Sequence, residues 1–165
     1  MTPLLVALCV VLLDQATKEW VRGAFSLHES VPVIPGFFHL TYIRNTGAAW
    51  GMFSGQNVAL SVLALVMLAA LVVFRRKILP PGRVHRVVLG LLCGGIAGNL
   101  FDRLRLDYVV DFLDFFVRGS HFPAFNVADS AICVGVGIYV LGTLLAKSPE
   151  TALPAGEKPP ETPAP

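Results

Sequence analysis

The chain has 165 residues, a formal net charge of +2, 55% hydrophobic residues and only 15% charged ones. Soluble domains carry about a quarter charged residues, so this balance points to lipid as the main solvent. It also excludes the strongly basic surface of a nucleic-acid binder, and no nucleic-acid partner is expected.

A helix needs about 20 mostly apolar residues to cross a bilayer, and four segments approach that length. The first, about 4–21, is apolar as far as Leu13 and then turns polar at Asp14, Gln15, Thr17 and Lys18. It has no basic leader, and no small-x-small cleavage site follows its apolar run, so it reads as a retained helix and not a cleaved signal peptide. The loop at 22–56 contains a Pro35-Gly36 turn signal and an alternating stretch at 38–43, which predicts a small β-ribbon on the membrane surface. Ser54 reads as the N-cap of a second helix over 57–74, which carries no charge. Five Lys or Arg crowd the link at 75–86, which the positive-inside rule makes cytoplasmic. The third helix, about 87–103, repeats glycine at 90, 94 and 98, a face that admits close approach by a neighbouring helix. Ala131 and Gly135 offer a similar face on a fourth helix over 126–146. The segment 148–165 holds six prolines and is predicted to be disordered.

The fold class expected is an all-α membrane protein: four transmembrane helices over 1–147 with a small extracytoplasmic β-ribbon, then a Pro-rich cytoplasmic tail. Both termini fall in the cytoplasm, and the loops at 22–56 and 104–125 fall outside. Cys9, Cys93 and Cys133 lie inside apolar runs without CxxC spacing and read as small, buried packing residues.

The polar residues of the spans are not scattered. Asp14 and Lys18 close the first helix; Asn99, Asp102 and Arg103 close the third; Asn126 and Asp129 open the fourth. With this topology all three groups lie at the outer interface, near Asn45, Asp111 and Asp114 in the outer loops. Ionisable groups in membrane segments are costly and mark function by default. Each group also has a simpler reading. Asp14 and Lys18 have the i,i+4 spacing of an interfacial ion pair, and Arg103 suits a helix C-terminus. Asn126 and Asp129 have the spacing of a capping box, and Asp111 and Asp114 could be solvated loop acids. None of these explains why every group converges on one layer.

Buried cysteines disfavour thiol chemistry, and histidines 28, 39, 85 and 121 show no HExxH spacing for a zinc hydrolase. The 51–55 stretch lacks the GxSG spacing of rhomboid-type serine peptidases. Carboxylates and amides remain. Two close carboxylates share one proton, so that one can activate water while the other protonates a substrate. A small ion or solute carrier is the alternative, but its polar residues would continue toward the cytoplasmic side, where helices two to four have none. A non-catalytic adaptor would not need acids and amides together at one depth.

The runs Asp14-Gln15-Ala16-Thr17-Lys18, Asn45-Thr46-Gly47-Ala48-Ala49-Trp50, Gly98-Asn99-Leu100-Phe101-Asp102-Arg103, Val109-Val110-Asp111-Phe112 and Phe125-Asn126-Val127-Ala128-Asp129 resemble, in order, the motifs of bacterial lipoprotein signal peptidase, or signal peptidase II. The resemblance covers about residues 4–146. It implies an aspartic endopeptidase of the bacterial inner membrane that needs no metal or other cofactor. Its substrate would be a prolipoprotein carrying diacylglyceryl-cysteine, cut just before that cysteine, with membrane lipid as a second partner. By this resemblance Asp111 and Asp129 form the catalytic dyad. Asn99, Arg103 and Asn126 position substrate and dyad, Asn45 contacts the substrate backbone, and Asp14 with Lys18 braces the site. Asp102 and Asp114 receive no catalytic role.

Overall fold

The computed structural model describes residues 2–48, 52–79 and 82–145. The expected tail at 148–165, and Ala49 and Trp50 of the second motif, lie outside the described residues.

Four long helices carry the fold: α1 (Pro3–Ala24), α2 (Asn57–Ile78), α3 (Arg83–Leu106) and α4 (Val127–Leu145). At 1.5 Å per residue the 22 residues of α2 span about 33 Å, the thickness of a bilayer core. α2, α3 and α4 are long and apolar enough to cross a membrane. α1 is as long as α2 but carries four charged residues: Asp14, Lys18, Glu19 and Arg22.

The burial pattern inverts that of a soluble bundle. Leu4, Val58 and Leu144 are each more than three-quarters exposed, whereas Asp14 and Lys18 are exposed by 0% and 1%. An apolar exterior around a polar interior is the arrangement that hydrocarbon solvates well. It corrects the reading of the cysteines. Cys9 and Cys133 face outward and only Cys93 is half-buried, because in such a bundle an apolar position need not be an interior one.

α3 is the central helix and packs against the other three. Its glycines make this possible. A Cβ on Gly90 would sit 2.5 Å from Val6 Cβ of α1, one on Gly94 2.8 Å from Ala7 O, and one on Gly95 2.4 Å from Ala128 O of α4. Gly135 packs α4 against Leu91 and Leu92. Gly98 does more than pack: its surface faces the Asp14 carboxylate, whose Oδ2 would lie 2.7 Å from an added Cβ.

The predicted ribbon is the hairpin of β1 (Ser30–Ile34) and β2 (Phe38–Asn45), turning at Gly36 with φ 77°. It is half of a larger element. β3 (Val109–Val117) pairs antiparallel with β2, and β4 (Ser120–His121) pairs with β3, giving a four-stranded sheet in the order β1-β2-β3-β4. The 104–125 region, expected as a loop, therefore contributes a central strand. Val21, Tyr42, Val110 and Phe112 form one buried cluster that ties the sheet to the end of α1.

Ser54 does not cap α2. The cap position is Gln56, which makes no side-chain cap bond, and Ser54 Oγ instead lies 3.0 Å from Thr46 Oγ.

Candidate active site

The site grows from the ends of three helices and the two inner strands. Asn126 is the residue before α4, and the capping-box spacing operates as such: Asp129 N–H donates to Asn126 Oδ1 (3.0 Å) and Asn126 N–H donates to Asp129 Oδ2 (3.3 Å). The same side chain has a second task. Asn126 Nδ2 donates to Asp111 Oδ1 at 2.7 Å and to Asn99 Oδ1 at 3.1 Å. One buried amide thus links the two aspartates, accepting a hydrogen bond from the backbone N–H of Asp129 and donating one to the carboxylate of Asp111.

Asp111 sits on β3 opposite Ile43, just past an irregularity in the β2–β3 register. Its other oxygen, Oδ2, accepts from Asn45 Nδ2 at 2.9 Å. Asn45 is itself oriented, because Gly47 N–H donates to its Oδ1 (2.9 Å) and turns its amino group to Asp111. Gly47 has no room for a side chain: a Cβ there would lie 2.6 Å from Met52 O. Arg103 Nη2 donates to Gly47 O at 3.1 Å, which fixes the guanidinium beside the same loop. Burial, and then the facing Asp129 carboxylate, push Asp111 up to about 7.

Behind the aspartates lies a buried ionic hub. Lys18 Nζ is 2.8 Å from Asp14 Oδ2, 3.1 Å from Asp102 Oδ2 and 2.9 Å from Asn99 Oδ1. Asn99 accepts from Lys18 and Asn126 through its oxygen and donates to Asp129 Oδ1 (2.7 Å) through its nitrogen. The lysine therefore dictates which way the Asn99 amide points. Asp14 Oδ1 also accepts from Ala128 N–H (2.9 Å), and Asp102 Oδ2 accepts from Val110 N–H (3.0 Å), so the hub holds the backbone beside each aspartate.

Asp111 and Asp129 both line one cleft of about 1210 Å³, with Asn45, Asn99 and Arg103 on its wall. Apolar side chains including Ile132, Phe122 and Phe125 line the rest. The cleft has the composition of a site for a mostly apolar chain with a few fixed polar contacts.

A family model described as Signal peptidase (SPase) II matches residues 6–145. The chain belongs to the signal peptidase II family. It is 44% identical over 155 residues to a lipoprotein signal peptidase of Desulforapulum autotrophicum, a match covering 88% of this chain and 93% of that one. It is 45% identical over 134 residues to one of Geobacter metallireducens, covering 79% and 83%. A solved bacterial membrane enzyme superposes with a TM-score of 0.82 at 35% identity, covering 92% of both chains. Signal peptidase II membership makes the chain a membrane protease.

All eight residues singled out from the sequence meet in this one region: Asp14, Lys18, Asn45, Asn99, Arg103, Asp111, Asn126 and Asp129. Two more belong with them. Gln15 Nε2 donates to Asp14 Oδ2 (3.1 Å) and Asp102 Oδ1 (2.9 Å), tying α1 to α3. Asp102 is 1% exposed and completes the hub. The signal for Asp102 was its i,i+3 spacing from Asn99, which puts both on one face of α3. Asp114 is also less solvated than a loop acid: it accepts from Thr41 Oγ1 (3.1 Å) and pairs with His121 Nδ1 (2.8 Å) at the cleft rim.

Proposed function

We propose that this chain is an aspartic endopeptidase that removes signal peptides from prolipoproteins, with Asp111 and Asp129 as its acid–base pair. The observation that carries this reading is the placement of both carboxylates on one cleft, each held by asparagine amides. Asp129 stands in the first turn of α4, where the helix dipole favours its anion, and acts as the base that takes a proton from water. Asp111 holds the shared proton and gives it to the scissile carbonyl oxygen as the hydroxyl adds to carbon. The tetrahedral species then collapses. The proton acquired by Asp129 passes to the leaving nitrogen, the C–N bond breaks and Asp111 recovers its proton. Asn99 and Asn126 keep the carboxylates in place, and Asn45 and Arg103 border the path of the substrate backbone. Asp14 and Lys18 brace the pair from behind.

The natural substrate carries a diacylglyceryl-cysteine, and the cut falls just before it. All four helices cross the bacterial inner membrane, with α1 tolerated because Asp14 and Lys18 neutralise each other inside the bundle. The arginine-rich link and both termini face the cytoplasm, and the sheet and cleft face outward. Residues 1–147 form the peptidase domain and 148–165 an accessory tail. The carrier alternative loses its basis, because the acids close into an amide-held pair within a protease family. The test is cleavage of a diacylglyceryl-modified prolipoprotein by the purified protein, against the same substrate without lipid. Each buried methylene contributes about 0.8 kcal/mol, so the lipidated form should be cut much faster. Equal rates would refute the lipid requirement, and no cleavage of either would refute the peptidase.

A pH profile follows from the pair. With Asp111 raised above the ordinary carboxylate value to about 7, the single shared proton is retained below that pH and lost above it. Cleavage in detergent should therefore fall on the alkaline side, by about tenfold per pH unit once the limb is linear. The limb belongs to the coupled pair and not to one residue. A rate that stays flat to pH 9 would refute a protonated carboxyl in the mechanism.

A further inference from the structure

The end of the bundle away from the cleft holds a second cavity, of about 760 Å³, between the C-terminus of α2, the N-terminus of α3 and Pro3 of α1. Arg75, Arg76, Arg86 and His85 line it over an apolar floor of Leu79 and Leu89. We propose that this cavity binds the phosphate headgroup of an anionic phospholipid from the adjacent leaflet.

Charge complementarity carries the proposal. The sequence contains no Asp or Glu between residues 30 and 101, and among the described residues no acidic side chain lines the cavity. Arg75 donates to Val72 O (2.7 Å) at the end of its own helix, which anchors its guanidinium there. Arg75 and Arg76 suit the C-terminal dipole of α2, but Arg86 stands at the start of α3, where the dipole disfavours a cation. Gly82 supplies no side-chain cap to that helix start. A phosphate in the cavity would satisfy both the arginines and the uncapped N–H groups.

The surroundings select a lipid over a soluble anion. α1 and α2 leave the cavity as outward apolar faces, with Leu4, Leu8, Val72 and Val73 about half or more exposed. Acyl chains can lie along these faces while the headgroup occupies the basic end, as basic pockets between membrane helices allow. Lys77 and Arg83 belong to the same link but do not line the cavity. Setting membrane orientation needs only the number of cations, whereas four basic side chains converging on one cavity is a feature of binding. The inference rests on the membrane reading above but not on the catalytic one.

The purified full-length protein in a neutral detergent would be titrated with phosphatidylglycerol, phosphatidylcholine and inorganic phosphate. Thermal unfolding and lipid retention by native mass spectrometry are the readouts. Phosphatidylglycerol should raise the Tm and stay bound, and phosphatidylcholine should do neither. Each cation near an anionic headgroup contributes about fivefold (~1 kcal/mol), so Arg75→Gln/Arg76→Gln/Arg86→Gln should weaken the response on the order of 100-fold. Lys77→Gln/Arg83→Gln should leave most of it. Gly82→Phe narrows the cavity at an extended backbone position (φ 177°) with the charge unchanged and should also reduce retention. Equal responses to both lipids, an equal response to inorganic phosphate, or an undiminished response in the triple variant would each overturn the proposal. So would binding by a chain truncated after Lys147 but not by the full chain, which would mean that the tail occupies the cavity. Cleavage measured in parallel separates a failure here from a failure of the peptidase reading.

Discussion

Asp111→Asn and Asp129→Asn should each reduce cleavage of a lipidated prolipoprotein by at least about 10²–10⁴-fold, the worth of one general acid or base. Groups that act as a unit lose most of their effect when either is removed, so the double variant should be little worse than either single one. Asparagine preserves volume but can neither take a proton from water nor deliver one to the substrate. The cost in stability should be small by comparison. Each oxygen of Asp111 accepts from a different amide, Asn45 on one side and Asn126 on the other. Asparagine offers one acceptor where two are needed, so one hydrogen bond is lost, a loss of about 1–3 kcal/mol. At position 129 the substituted side chain can still accept from Asn126 N–H or from Asn99, but not from both. If Asp129 served only as the third-position partner of the capping box, its asparagine variant would keep near-normal turnover, because asparagine still offers an oxygen to Asn126 N–H. Asp107→Asn is the matched control. Asp107 ends α3 at φ 64°, a conformation asparagine adopts readily, and it lies outside the cleft lining. Near-normal turnover by either Asp111→Asn or Asp129→Asn, with the protein folded, would remove the aspartic mechanism.

Most of this site was legible because membrane segments make polar residues conspicuous. In an apolar run, Asp14, Asn99 and Asp129 stand out, and a shared depth joins them before any coordinates do. The helices themselves followed from length and apolarity, and α3's close packing followed from its glycine repeat. β3 was not legible. Val109 to Phe112 are buried at four consecutive positions, so the strand shows no apolar–polar alternation and reads as a loop. Its pairing partner β2 is 68 residues away where Ile43 faces Asp111, a separation that no local pattern encodes. Asp102 was placed in the polar layer, but its part in the hub was not legible, for a related reason. Its partners are Gln15, Lys18 and Val110, and only the packing of α1 on α3 through Gly90, Gly94 and Gly98 reveals that they meet. The cysteines were misplaced because apolar surroundings were equated with the interior, an equation that holds in water and fails in lipid.

Lys18→Met distinguishes two readings of the Asp14–Lys18 pair by magnitude. An exposed i,i+4 pair at a membrane edge contributes about 0.3–0.5 kcal/mol, and its loss would hardly shift thermal unfolding. Lys18 is instead 1% exposed and lies against two carboxylates that are themselves buried, Asp14 and Asp102. Methionine fills most of the same volume but leaves those carboxylates facing each other without their cation. Breaking a buried ion pair in this way costs about 3–5 kcal/mol, so the variant should unfold at a much lower temperature or accumulate poorly. Removing one of the stranded acids should recover part of the loss, making Lys18→Met/Asp102→Asn more stable than Lys18→Met alone, a non-additivity that a double-mutant cycle measures. Where enough folded protein survives, cleavage should fall as well, because Lys18 directs the Asn99 oxygen away from Asp129 and the Asn99 amino group toward it. Without the lysine only Asn126 Nδ2 still holds the Asn99 oxygen, so the amide is less firmly aimed and its donation to Asp129 weakens. An unfolding midpoint within a degree or two of the parent, or strict additivity in the cycle, would show that Lys18 is an interfacial charge and not the centre of a buried hub.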